Sequence, residues 1–447
     1  MNIPILIILI NLYIGLIYCN NSIKIPFESK LCKGNENTDF LSNYYDQYLY
    51  TQISIGSENQ KLEVALKLNK YITYLISSKN KNLKSEYFNE EKSITYEKVG
   101  EKAINPQEDM FISGIKSKDN FIFGDNIKYE KYLFYLSLEQ NFDETGQIGL
   151  KMVPSSFDKD FTGNGFIDQL KLKSIINSNN FYFKYEYKDE KEFKYKGNLI
   201  IGGMPHEIEP SKLFNSDNFV KTYADINDLN TRWTIKLSSV KYGNETIIQS
   251  DSAEFSTTFG FIVAPLNFIK IFDIFFNKTK CYGDYNSEDK TYLYLYCEKN
   301  VDISKFKDLF FVATNKELNF TLTYKDLFRK IGEYYYFLIL FNEDVNQWEF
   351  GHIFLKKYTM VFNGDQKTIG YYYQPNNNKD KSDSKNHIVY IFVIISIILL
   401  IIIIGLLIYI FYFKPKNRKV RPNELEDNFD YTPQDVEKEQ DDNRLGV

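Results

Sequence analysis

The chain of 447 residues has only three histidines, His206, His352 and His387. They are scattered, with no metal-ligand spacing among them, and no cofactor is expected. Charge of one sign is also lacking. A net charge of −5 over this length gives no support to a nucleic-acid partner, which would need a clustered basic face. No short-period repeat is visible, which argues against a solenoid or propeller array. Cysteine is sparse: Cys19, Cys32, Cys281 and Cys297. What is abundant is aromatic, with 36 Tyr and 37 Phe. Asn, Lys and Ile are also frequent, a composition that codon bias alone can produce. The length suffices for two or three lobes with cores of their own.

Both ends read as targeting segments. Ile3 to Tyr18 is apolar and is followed by Cys19 and a polar Asn-Asn-Ser run, a signal-peptide pattern over residues 1–19, although no Lys or Arg precedes it. Residues 388–413 carry no charge, and a helix of that length would reach about 39 Å, enough to span the ~30 Å hydrocarbon layer with tilt. Lys414, Lys416, Arg418, Lys419 and Arg421 follow directly and should stay cytoplasmic. The expected product is a single-pass type I membrane protein of the secretory pathway, at the cell surface or an endolysosomal membrane. Residues 374–387 would form a polar stalk and 414–447 a cytoplasmic tail. In an oxidising lumen Cys281 and Cys297, close in sequence, are expected to pair, worth roughly 3 kcal/mol by chain entropy. Cys32 is left without an assigned partner. Asn244, Asn277 and Asn319 stand in glycosylation tripeptides.

Between these ends the pattern is mostly of strands. Short apolar or alternating runs such as YLYTQISIG (Tyr48–Gly56), FYFKYEY, GNLIIGG and TYLYLYC are separated by Gly, Asn, Asp and Lys clusters. Two helices are expected, over 165–176 and, opening with a proline, over 265–276. A strand pair, a turn at the tip of an apolar strand and a later apolar-apolar-Gly element occur once before about residue 200 and once after.

This echo resembles the pepsin-like aspartic peptidases. YLYTQISIG is similar to that family's opening strand, TGQIGLKMVPSSF (Thr145–Phe157) to its apolar-Gly motif, and GNLIIGGMP to the end of its first lobe. WEFGHIFLKKYTMVFNGDQKTIGY (Trp348–Tyr371) closely resembles its closing stretch. The resemblance implies a mainly β, bilobal double-barrel ectodomain with a central cleft, divided into lobes at 20–208 and 209–373, ahead of the single transmembrane helix. It also implies the Cys281–Cys297 bridge of the second lobe.

In that family each lobe brings an Asp-Thr-Gly loop to the cleft. The two carboxylates lie about 3 Å apart and share one proton, so one activates a water while the other protonates the scissile carbonyl. Here SAEFSTTFGFIVAPL (Ser252–Leu266) matches the second loop, with Ser256 at the acid, Thr257 at the threonine and Thr258 at the glycine. In LEVALKLNKYITYLISS (Leu62–Ser78) the better register puts Lys67 at the first acid, Leu68 at the threonine and Asn69 at the glycine; a slip by one would put Leu68 at the acid. Neither register supplies a carboxylate. The flap position falls near Gln107, and His352 stands where the family usually has Asp. The stretch between the signal and Tyr48 is too short for the usual basic pro-segment.

Three functions are compatible with these residues. A degenerate dyad, with no catalytic residue at either position, implies a pseudopeptidase that binds a peptide or protein in its cleft. The alternative is an active peptidase, aspartic-type by family or with a Ser256–Lys67 pair as nucleophile and base. A closed cleft would leave a structural or adhesive surface glycoprotein.

Overall fold

The computed structural model describes residues 22–31, 47–80, 86–104, 113–124, 126–138, 145–152, 165–189, 194–211, 213–225, 232–285, 291–314 and 318–373. The expected signal peptide, stalk, transmembrane segment and tail lie outside these residues, as do Cys19, Cys32, Gln107 and His387. Among the described residues no helix is long and apolar enough to cross a membrane.

Alternation drives the strands to form. In Gln47–Ile55, Leu49, Ile53 and Ile55 are buried while Gln52 is exposed. A pleated strand sends successive side chains to opposite faces, so such a sequence can bury one face against a core. This strand pairs with Ile23–Leu31 on one side and Gln60–Lys67 on the other. The sheet continues through Gly146–Gly149, Tyr74–Ile76, Ile127–Ser137, Ser113–Phe123 and Glu97–Ile104. A further pairing of Ser113–Phe123 with Gln47–Ile55 closes the first barrel. On its other flank this sheet takes in Lys194–Ile201, Asn180–Asp189 and three strands from beyond residue 208: Val361–Asn363, Thr368–Tyr372 and Phe219–Tyr223. A second, 11-stranded sheet is built from residues 234–350. The fold is therefore mainly β and consists of two barrel-like sheets. One buried apolar cluster runs through both, from Leu66 and Ile148 to Trp233, Phe255 and Phe350.

The first expected helix forms over Phe166–Leu172, with Phe166, Ile167 and Leu170 buried and Leu172 72 % exposed. Its buried Gln169 uses the side-chain amide as a strand would, accepting from Leu133 N (2.9 Å) and donating to Leu133 O (3.0 Å). Ser174, in a left-handed conformation (φ 55°), follows the last turn. The second expected helix is instead a 3-10 stretch, Leu266–Ile271, followed by a single α-turn, Asp273–Phe276. Phe268, Phe272, Phe275 and Phe276 are all buried there, and so many rings need more than one helical face. Cys281 and Cys297 are cross-strand partners and form the disulfide.

Candidate functional site

The two lobes present the same local construction. In the first, Gln60–Lys67 runs parallel to Gly146–Gly149, with Leu66 opposite Ile148 and Lys67 opposite Gly149. In the second, Glu245–Phe255 runs parallel to Trp348–Phe350, with Phe255 opposite Phe350, and Ser256 N donates to Phe350 O at 3.0 Å. Lys67 and Ser256 are thus topological equivalents, each the first residue beyond a buried apolar position. A glycine lies beside each turn. A Cβ on Gly149 would meet Lys70 O at 2.6 Å, and one on Gly351 would meet Phe259 O at 2.4 Å. Lys70 and Phe259 each lie three residues beyond the equivalent pair.

Thr257 joins the two turns. Its Oγ1 donates to Leu66 O (2.7 Å) and accepts from Leu68 N (3.1 Å), and it is fully buried. The first lobe cannot return this pair of bonds, because Leu68 has no hydroxyl. Thr257→Val keeps the shape but leaves Leu68 N and Leu66 O without this partner. An expected loss of about 2 kcal/mol follows from the cost of leaving buried polar groups unbonded. Urea midpoints of the variant and of Thr257→Ser, which keeps the hydroxyl, measure it.

Lys67 is 6 % exposed and its Nζ lies 3.4 Å from the centroid of the Tyr48 ring, a cation–π contact. Ser256 is 3 % exposed and its Oγ accepts from Thr258 N at 3.1 Å. The backbone of Gln47 crosses to the second lobe, with its N–H donating to Thr258 O (3.1 Å) and its carbonyl facing His352 Nε2 (2.6 Å). A carbonyl only accepts, so Nε2 carries the proton. Nδ1 then accepts from the Tyr185 hydroxyl at 3.0 Å. Burial lowers the His352 pKa to about 4, so this ring is neutral, and burial holds Tyr185 far above its ordinary value.

Sequence reasoning missed a charged group immediately before the second turn. Glu254 and Glu349 are side by side on parallel strands, on the face opposite the core residues Ala253, Phe255, Trp348 and Phe350. Glu254 is 3 % exposed and is held by Arg232 Nη1 (3.0 Å) and Gln347 Nε2 (2.8 Å). Burial, and then the neighbouring Glu254 charge, push the Glu349 carboxyl up to about 7. Each acid stands between two buried apolar residues, Glu254 between Ala253 and Phe255 and Glu349 between Trp348 and Phe350, but nothing in the sequence marks the two as neighbours.

The model of the eukaryotic aspartyl protease family matches residues 47–372. The chain belongs to that family. No curated protein matches it. The aspartyl protease match begins at Gln47, the residue whose backbone is gripped by the second lobe, and covers both turns. Asn244, Asn277 and Asn319 all lie exposed on the second lobe.

Proposed function

We propose that this chain is a non-catalytic aspartyl protease homologue, anchored in a membrane of the secretory pathway, whose cleft binds an extended peptide or protein segment. One observation carries the reading. The equivalent positions at the tips of the two turns, where the family carries its acids, hold Lys67 and Ser256. Water activation in this family needs two carboxylates that divide one proton between general-base and general-acid roles. An ammonium on Tyr48 and a hydroxyl bonded to Thr258 N supply neither. Loss of one such group costs roughly 10²- to 10⁴-fold, and groups that act as a unit are lost together.

The anchor is argued from the uncharged run 388–413 and the basic cluster after it, and the lumenal side from the leader-like residues 1–19. The disulfide and the three exposed tripeptide asparagines fit that side. Incubation of the purified protein with a mixed peptide library from pH 3 to pH 8 is expected to give no new termini above background. Cleavage at acid pH that pepstatin stops would overturn the proposal. Labelling by a fluorophosphonate, lost in Ser256→Ala, would instead establish a Ser256–Lys67 enzyme.

A further inference from the structure

Among the described residues, the strand that leads to Ser256 is paired on both edges only near its end. Glu245–Phe255 runs against Thr234–Tyr242 on one edge. On the other edge Trp348–Phe350 pairs only with residues 253–255, and residues 343–347, which precede it, are not in a strand. No described strand therefore lies along that edge over residues 245–252. A groove of about 760 Å³ opens here, between Ile247 and Asp251 of the strand, residues 265–271 and residues 343–346. Its walls are apolar at Ile247, Leu266, Ile271 and Val345, and the buried Phe268 ring, 4.9 Å from that of Trp348, also lines it. Ile247 is the extra residue of a bulge, since Ile248 stands opposite Val240 and Thr246 opposite Lys241. It precedes Ser256 by nine residues. At ~3.3 Å per residue that is roughly 30 Å along the strand, so the groove is a site apart from the two turns.

Asp251 is the half-buried charged group of the groove. Burial raises its carboxyl, against the Ser252 N–H that donates to its Oδ1 at 2.7 Å. No lysine or arginine among the described residues pairs with it, and Glu343, on the exposed rim, is unpaired as well. Two acids against one base, Lys270, leave the groove negative. We propose that the groove is a docking site for an extended segment of a partner protein, which adds a strand to this edge and sets a lysine or arginine against Asp251. A strand edge offers main-chain N–H and C=O groups to any extended chain, and the side chains placed on one face supply the selection. Residues directly opposite in paired strands share a face, so the partner residue beside Asp251 enters the groove. A basic group there meets a carboxylate that lacks a counter-ion, while its same-face neighbours meet Ile247 and the apolar walls. An acidic group at that place would meet two acids.

The test uses the full-length protein and the blocked nonapeptide Val-Thr-Val-Thr-Lys-Thr-Val-Thr-Val, which sets the base among apolar residues in either strand direction. Affinity is read by calorimetry and the contact by hydrogen exchange. Saturable binding is expected, with slower exchange over residues 245–252. Norleucine in place of the lysine should weaken binding about tenfold, and Asp251→Asn should weaken the lysine peptide alike without changing the norleucine one. Equal affinity of the parent and Asp251→Asn for the lysine peptide overturns the role of Asp251. Absence of binding at millimolar peptide overturns the site. Protection around residues 66–70 and 256–258 in place of 245–252 would put the peptide in the cleft and overturn the groove as its site. A parent dimer in which residues 245–252 are already protected would assign the edge to a second copy and overturn the partner. Thermal melts of Asp251→Asn within a few degrees of the parent exclude misfolding as the cause.

Discussion

Replacing Gly351 with alanine is expected to leave no folded protein. An alanine Cβ there would sit 2.0 Å from Phe261 O and 2.4 Å from Phe259 O. Both are backbone atoms, so no rotamer change relieves the overlap. The turn that carries Ser256 would have to move away from the strand that supports it, and His352 N would lose its bond to Phe259 O at 2.9 Å. Overpacking of this severity belongs with the largest single-residue losses, above about 4 kcal/mol, out of a total stability of roughly 5–15 kcal/mol. Gly149→Ala should behave alike, with contacts of 2.5 Å to Tyr71 C and 2.6 Å to Lys70 O. Gly100→Ala is the control, because its nearest neighbour would be Lys116 Cβ at 3.7 Å. Yield and protease resistance of the three variants check the ordering. A Gly351→Ala protein that melts near the parent temperature would show that the turns are not seated as described.

These glycines also explain what was legible in the sequence. The apolar-apolar-Gly echo could be read directly, because close approach of two backbones admits only glycine and so leaves a local mark. Most strands were legible for a similar reason: burial on one face writes alternation into neighbouring residues. Ile23–Leu31 was missed, since Pro26 and alternate polar residues mask it and an apolar leader precedes it. The register of the first turn stayed open between Lys67 and Leu68, because a Leu-Lys-Leu-Asn run carries no anchor of its own. That register is fixed by parallel pairing with Gly149, more than 80 residues away. The Glu254–Glu349 pair was illegible for the same physical reason, as nothing near either residue indicates that the other lies beside it.

Stability should vary little between about pH 4.5 and 6.5, through two opposed ionisations, and removing either should expose the other. His352 is lowered to about 4 from its ordinary 6.5. As pH falls through this interval the unfolded chain takes up the proton and the folded chain does not, so stability drops toward acid. Glu349 is raised to about 7 from its ordinary 4.5. In this case the folded chain holds the proton and the unfolded chain does not, so stability drops as pH rises from 4.5 to 7. Each shift corresponds to roughly 3 kcal/mol at about 1.4 kcal/mol per unit. Where the two windows overlap their slopes cancel. Glu254 and Arg232 also face Glu349, the acid raising and the arginine lowering its pKa. Urea midpoints at pH 4.5 and 6.5 separate the contributions. His352→Gln, which retains a donor for Gln47 O, should make the protein more stable at pH 4.5 than at 6.5. Glu349→Gln should give the reverse, with a difference of up to about 3 kcal/mol in each case. If both variants keep the parent profile, neither group titrates as its burial requires. His352 holds the Gln47 carbonyl, whereas Glu349 lies beside Glu254 on the strand under the second turn, so the two ionisations act on separate contacts and their effects on stability should add.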